Sequence, residues 1–593
     1  MSKEEQQVAE KISELSTDQI DWRIGGEAGA GIQVTGSMFA LACSRSGMFI
    51  ASYSEYPSLI RGGYTMYHVR AGSEKIYAHD ARVDILVALN KETIDENVSV
   101  LQRNGRIVYD VEQVTIKPSD FSENVVLVGV PLLKLALECG EAVMKNSVAL
   151  GASFALLGCD AGALVEAVTE QFKKKGTDIL NQNIDAVQKG FEYVKKNYPV
   201  ERPCLLDSAK HFDPQLVISG NEAVGIGAIA SGCQFYAGYP MTPSTSLLHF
   251  MAAHDQEFGI VVKHAEDEIS VINMAIGASY TGARAMIGTS GGGFALMNEG
   301  VSLCAMLETP LVIMVSSRPG PATGLPTWTA QGDLQFVIHA GHGEFPKIVI
   351  APGDPQEAFE ATWRAHNLAD QFQIPVIVLL DKYLSESNVS IQPFPFKEVV
   401  IDRGNVMTEE ELEKHAPYLR YEMTDTGVVP RVFPGMKAGA HLANSDEHAA
   451  DGLVSESSED RILQDTRRLL KWNGLQKHLP LPKVYGSKNP EVTMVVWGSQ
   501  KAPALQAQQE LEKAGVPTNV IHVQYVHPFP GDVMHDLLQS ARWLLLIENN
   551  LTGQFGQLIR AGAHIDIPEK LLKDDGRPVF PSEIIERVRA MIT

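Results

Sequence analysis

"HAEDEISVINMAIGASYTGARAMIGTSGGGFALM", His264 to Met297, decides how this chain folds. The apolar run GIVV leads into it, three acids (Glu266, Asp267, Glu268) interrupt, and a nearly all-apolar helix follows from Ile269. A second apolar run, ARAMIGT, breaks on three glycines before another helix. Strand, polar turn, helix, strand, glycine turn, helix is the rhythm of a parallel α/β sheet. Charged groups at such a buried junction are costly unless something uses them. A helix N-terminus favours an acid through its dipole, which is the structural reading. Three acids exceed that need. A carboxyl at a strand end can also hydrogen-bond a heterocycle nitrogen, and the glycine junction from Gly288 lets a flat ring approach the backbone.

The same rhythm recurs on both sides. Upstream, DWRIGGEAGAGIQVTG, DILVAL, GRIVYD and NVVLVGV alternate with helical stretches to about 198. Residues 1–17 read as a charged helical arm, and 194–215 as a polar, proline-bearing linker. The central unit adds QFYAG, PLVIMVS, KIVIAP and PVIVLL; a third unit holds VTMVVWGSQ, PTNVIHVQYV and WLLLIENN. The fold class expected is α/β with three α/β domains, spanning 18–198, 212–390 and 486–593. The weakly periodic residues 391–485 read as an extended connection. The length fits roughly two to four domains.

Composition narrows the function classes. The net charge of −22 argues against nucleic acid or anionic lipid as main partner, since both want a basic footprint. No run approaches the ~18 apolar residues of a membrane span. The first 15 residues lack the apolar segment of a secretory signal. The six cysteines are scattered, with no CxxC, so neither a zinc nor a ferredoxin-type cluster site is written here. They read as free thiols of a reducing cytoplasm, and no metal site is expected on this chain.

Four further stretches carry candidate chemistry. GGEAGAGIQVTG (25–36) is a glycine turn opening a helix, which either cradles a phosphate or is only a tight turn. Gly29 and Gly31 fit GxGxxG, but Val34 breaks it, so a dinucleotide enzyme is weakly supported. SLIRGGYTMYHVR (58–70) places Arg61 on a glycine-flexed loop, as an anion-binding cation or a plain surface arginine. In YAGYPMTPSTSLLHF (236–250), Thr242 reads as the N-cap of a helix with Pro243 in its first turn. That is either a capped helix or an anion-facing helix start. VSSRPGPATGLPTWTAQGDL (315–334) ends a strand at Arg318, where ligands of open parallel sheets collect. Arg318 there forks onto a ligand carboxylate or pairs with a structural acid.

Together YPMTPS, AEDEISVINMAIGASYTGARAMIGTSGGGF and RPGPATGLPT resemble the α subunit of 2-oxoacid:ferredoxin oxidoreductases, and within that family 2-oxoglutarate:ferredoxin oxidoreductase. The N-terminal unit resembles the family's γ domain, fused ahead of a thiamine pyrimidine-binding domain, and WGSQ, VHPFP and LIENN resemble its transketolase C-terminal-like domain. The resemblance implies a thiamine diphosphate enzyme that converts a 2-oxoacid, coenzyme A and oxidised ferredoxin into acyl-CoA, CO2 and reduced ferredoxin. It implies that Glu268 contacts the aminopyrimidine and favours its reactive imino form, with Tyr239 and Pro240 also at the cofactor. It places the substrate carboxylate at Thr242, Arg318 and Thr327, and coenzyme A at Gly26, Gly29, Gly31 and Arg61. No GDG…N-type diphosphate motif occurs; the DG at 451 and DDGRP at 574–578 lack its context. The resemblance therefore implies a β subunit that supplies diphosphate binding, Mg2+ and a 4Fe-4S cluster, in an α2β2 assembly served by ferredoxin. A distal substrate carboxylate would need another cation: Arg431, His264, Lys263 or a β-subunit residue. Pyruvate or branched 2-oxoacids remain alternative substrates, and a non-catalytic scaffold of the same fold is the competing class. The histidines of HAGHGE (339–344) read as structural rather than proton-donating.

Overall fold

The computed structural model describes residues 18–59, 62–121, 125–198, 204–208, 215–415 and 417–592. The expected N-terminal arm (1–17) and Arg61 lie outside them.

Three α/β domains are present, as the alternation predicted. The N-terminal domain is built on an eight-stranded sheet in the order Val126–Val130, Leu101–Asp110, Val83–Ala88, Gln19–Glu27, Tyr64–Gly72, Phe49–Glu55, Asn388–Ile391, Leu216–Ile218. The last two strands come from beyond the linker, and Asn388–Ile391 pairs antiparallel with both neighbours. The core beneath is apolar; Trp22 stacks on Phe39 at 4.2 Å between ring centroids. The helix Thr177–Asn197 runs through the first residues of the expected linker, correcting its start.

The central sheet has seven strands, ordered Tyr525–His527, Ile348–Ile350, Pro375–Asp381, Leu311–Ser317, Ala285–Thr289, Phe235–Gly238, Val261–His264. All pair in parallel except Tyr525–His527. Its inner strands, Leu311–Ser317 and Pro375–Asp381, are buried at every residue, as two-sided coverage requires. The chain goes from Phe235–Gly238 outward to Val261–His264, then back past it to Ala285–Thr289. That reversal opens a crevice at the carboxyl ends of these strands, where parallel sheets bind ligands. One apolar core runs from Ile287 and Ile313 into Trp497, Ile521 and Phe555 of the C-terminal domain. That domain is a five-stranded sheet ordered Lys483–Gly486, Thr518–Val523, Val492–Trp497, Trp543–Glu548, Glu569–Leu572.

Two expectations fail. The connection over 391–485 contains a 21-residue helix, Ser458–His478, capped by Ser457. Its buried residues are Gln464, Arg467, Arg468, Lys471 and a single apolar one, Leu475, rather than an apolar stripe. Lys471 Nζ lies 2.6 Å from Glu308 Oε2, and Arg467 also pairs with Glu308. Nor are all cysteines free: Cys159 and Cys204 form a disulfide, because the chain after Asn197 returns Cys204 to a Cα–Cα distance of 4.5 Å. Cys43, Cys139, Cys233 and Cys304 are free and buried.

Candidate active site

The crevice collects the central candidates. Val261–His264 ends at the three acids, and the helix Glu268–Tyr280 starts there. The acids divide the work. Asp267 is the N-cap, its Oδ1 accepting from Ser270 N at 2.7 Å, which is the dipole role. Glu266 is exposed. Glu268 is only 2% exposed, and its Oε1 has no hydrogen-bond partner among the described residues. Burial raises its pKa above the ordinary carboxylate value, and the nearby Asp267 charge adds to the rise. An unpartnered buried carboxylate oxygen is expensive.

The glycine junction shapes the floor. A Cβ at Gly293 would collide with Thr289 Oγ1 and the Glu268 side chain, so only glycine lets the carboxylate lie there. A Cβ at Gly291 would meet the Asp333 carboxylate. Gly292 is open, with the Ala322 carbonyl and Met241 Sδ about 4 Å away. Ser290 Oγ, fully buried, is a second unpartnered polar atom. This set of glycine floor, orphaned carboxylate and orphaned hydroxyl fits a flat heterocycle with hydrogen-bonding edges. Sequence reasoning did not single out Ser290 or Asp333. Asp333 Oδ2 accepts from Ser317 Oγ at 2.8 Å, and burial raises its pKa although Arg318 opposes the rise.

Arg318 follows Leu311–Ser317 and donates from Nη1 to the Thr242 carbonyl at 2.6 Å. Burial lowers its pKa while Asp333 supports its charge. Thr242 is not an N-cap. Residues 242–244 form a turn held by Asn221 Nδ2 on the Pro243 carbonyl (2.8 Å), and the helix Thr245–Ala253 starts after Ser244. Tyr239 and Pro240 lie on the same rim, exposed; the Tyr239 ring is 6.2 Å from that of His264. Thr327 Oγ1 donates to the Tyr56 carbonyl of the N-terminal domain at 2.6 Å. It thus ties the loop after Arg318 to another domain.

The other candidates separate. Arg431 is buried and bound to Asp370 Oδ1 at 2.7 Å, so it is not a cation for a distal carboxylate. His342 Nδ1 lies 3.0 Å from Ser302 Oγ. Gly26, Gly29 and Gly31 belong to the N-terminal domain. Gly26 is in the strand Gln19–Glu27; Gly29 and Gly31 take φ of 86° and 79°, the left-handed region. Ala28 N donates to the Gly63 carbonyl at 3.0 Å, which draws the turn against Gly63.

Comparison with known proteins gives the family. Residues 226–465 match the family described as pyruvate flavodoxin/ferredoxin oxidoreductase, thiamine diP-bdg. Residues 21–193 match pyruvate ferredoxin/flavodoxin oxidoreductase, and 484–565 the transketolase C-terminal domain. The chain is 31% identical to 2-oxoacid:ferredoxin oxidoreductase subunit alpha of Saccharolobus solfataricus, over 97% of this chain and 98% of that one. It is 28% identical to 2-oxoglutarate oxidoreductase subunit KorA of Mycobacterium tuberculosis, over 96% and 91%. A solved structure of 2-oxoglutarate:ferredoxin oxidoreductase from Magnetococcus marinus, with 2-oxoglutarate, coenzyme A and succinyl-CoA bound, aligns with a TM-score of 0.90 at 32% identity, covering 98% of this chain and 100% of that one. No helix among the described residues is long and apolar enough to cross a membrane. The orphaned acid at the crevice and the full-length kinship agree: the chain belongs to the 2-oxoacid:ferredoxin oxidoreductase α subunits, and is a subunit of a thiamine diphosphate-dependent enzyme.

Proposed function

We propose that this chain forms half of a thiamine diphosphate site and completes it with a β subunit, for the coenzyme A-dependent oxidation of 2-oxoglutarate to succinyl-CoA, reversibly, with ferredoxin as electron acceptor. The observation that carries this is Glu268, a buried acid with a free carboxylate oxygen at the switch point of a parallel sheet. Thiamine diphosphate, when bound, supplies a carbon centre that attacks the oxo carbon and holds the electrons left by decarboxylation. Glu268 holds a proton at its free oxygen against a ring nitrogen, which its raised pKa favours. Tyr239 and Pro240 line the rim on which the ring enters. Arg318 spends one N–H on Thr242 and offers the rest of its fork to the substrate carboxylate. Thr242 and Thr327 flank that carboxylate.

The substrate reading rests on two relatives that are 2-oxoglutarate enzymes. Lys263 and His264, both exposed on the rim, stay as cations for the distal carboxylate beside any residue of the β subunit. Coenzyme A is assigned to the N-terminal domain, at Gly26 near the strand end, at the turn of Gly29 and Gly31, and at Arg61. We assign Mg2+, the diphosphate and a 4Fe-4S cluster to the β subunit, and α2β2 to the assembly. The functional units run 18–198, 212–390, 391–485 and 486–593. The test is turnover of the purified chain alone and with its β subunit, on a panel of 2-oxoacids with coenzyme A and an artificial one-electron acceptor. The chain alone should be inert and the complex should prefer 2-oxoglutarate. Turnover without a partner would overturn the split site; a preference for pyruvate would overturn the substrate.

A further inference from the structure

The loop between Arg318 and Asp333 is anchored on the crevice side by Arg318 on Thr242 and by Ser317 on Asp333. Its middle, residues 320–325, is exposed and folds back on itself: Leu325 N donates to the Pro319 carbonyl at 3.0 Å, and Ala322 and Gly324 take φ of 54° and 53°. The Ala322 carbonyl lies over Gly292, so the loop roofs the glycine floor beside Glu268. The far leg, residues 327–329, has one bond within the loop, Trp328 N donating to the Leu325 carbonyl at 3.2 Å, and one from its own domain, Tyr383 N donating to Thr329 Oγ1 at 3.1 Å. Both neighbouring domains hold it as well. Thr327 Oγ1 donates to Tyr56 of the N-terminal domain, and Thr329 N donates at 3.1 Å to the Gly576 carbonyl of the C-terminal domain.

Between these two bonds stands Trp328. The Arg577 guanidinium lies 3.4 Å from the centroid of its indole, a cation–π contact. The same guanidinium reaches Glu55 of the N-terminal domain, Nε to Oε2 at 3.4 Å. The Glu55 end is firm. The buried Lys382 donates to the adjacent Ser54 carbonyl and sits 4.0 Å from the Tyr53 ring centroid, while Tyr56 Oη donates to Glu386 at 2.8 Å. The turn that delivers Arg577 is the DDGRP motif. Asp575 Oδ1 accepts from Arg577 N at 2.8 Å, and Gly576, at φ 80°, packs where a Cβ would meet Leu325 and Trp328.

We propose that Arg577 is a positioning residue for 2-oxoacid binding: clamped between Glu55 and Trp328, it holds the loop that presents Arg318 and Thr327 to the substrate. The inference rests on the reading that Arg318 and Thr327 face the substrate carboxylate. Arg577 itself touches no reacting group. Losing the clamp removes the side-chain anchor of Trp328 and leaves the leg on its main-chain and threonine bonds, so the bound geometry is less well ordered before each encounter, which weakens binding more than turnover.

The test is steady-state kinetics on the holoenzyme with its β subunit, using 2-oxoglutarate. Arg577→Met should raise KM for 2-oxoglutarate about 4-fold, the range of a cation–π contact at a partly exposed arginine. Its kcat should stay within about 2-fold and its KM for coenzyme A should not move. Arg577→Lys, which keeps a cation over the indole and beside Glu55, should recover KM to within about 1.5-fold of wild type. A merely structural arginine would instead lower Tm, or kcat through lost active enzyme, with KM unchanged; either result overturns the proposal. Where Arg577→Met fails to assemble, Trp328→Leu must give the same KM shift, and an unshifted KM there is equally fatal. Arg318→Met separates the two readings. If Arg318→Met leaves KM unaltered, the substrate assignment itself fails. If it raises KM while Arg577→Met does not, only the clamp fails.

Discussion

Glu268 and Glu548 are two buried glutamates in equivalent places, each between a strand end and a helix start. Glu548 ends the strand Trp543–Glu548, and its carboxylate accepts from Phe555 N (3.0 and 2.9 Å), Gly556 N (3.1 Å), Asn550 Nδ2 (2.8 Å) and Trp497 Nε1 (3.2 Å). Glu268 leaves one oxygen with no partner among the described residues. Burial raises the pKa of both. The donors around Glu548 offset part of its desolvation, and the only offset at Glu268 is its own backbone N–H. One acid is consumed by the fold; the other keeps an oxygen that no described residue bonds. A raised pKa alone does not distinguish them, and the count of hydrogen bonds does.

Three experiments break or sharpen this contrast. The largest effect belongs to Glu268→Gln, which keeps shape but cannot share its proton in the same way. It should lower kcat of the holoenzyme by about 10²–10⁴-fold and leave assembly intact; near-normal turnover would remove Glu268 from the chemistry. Next comes Glu548→Gln, which sets an amide donor among four donors. It should cost about 2 kcal/mol of stability in denaturant unfolding and leave kcat per folded enzyme unchanged. Smallest is a pH effect. The folded-state pKa of Glu268 is raised, so the native state holds its proton more tightly than the unfolded chain. Between the ordinary value of 4.5 and the raised one, its contribution to stability is full at low pH and falls as pH rises. The stability of Glu268→Gln relative to wild type should therefore improve across that interval; a flat difference would place the carboxylate in an ordinary solvated setting.

Much of this was legible in sequence. The apolar runs became strands because burial on two faces needs no alternation, and the three acids marked the crevice. What stayed hidden depends on partners far along the chain. The helix Ser458–His478 was unreadable because Arg467 and Lys471 look solvent-facing until Glu308, 159 and 163 residues away, meets them. Arg431 looked available until Asp370 claimed it. Thr242 looked like a helix cap because a Thr-Pro pair fits one, and Asn221 instead holds a turn there. Thr327, assigned to substrate by resemblance, bonds to Tyr56, 271 residues earlier. Such pairings are fixed by tertiary geometry and leave no local periodicity.

The strand Asn388–Ile391, inserted between Phe49–Glu55 and Leu216–Ile218, carries a consequence for how such proteins are divided into genes. Main-chain bonds of the central domain complete the N-terminal sheet, so the peptide link after residue 198 is not what keeps the two units together. A chain nicked in that link would stay joined through a shared sheet, as two polypeptides zipped by one ribbon. Fusion and separation of these units would then change little in the assembled architecture.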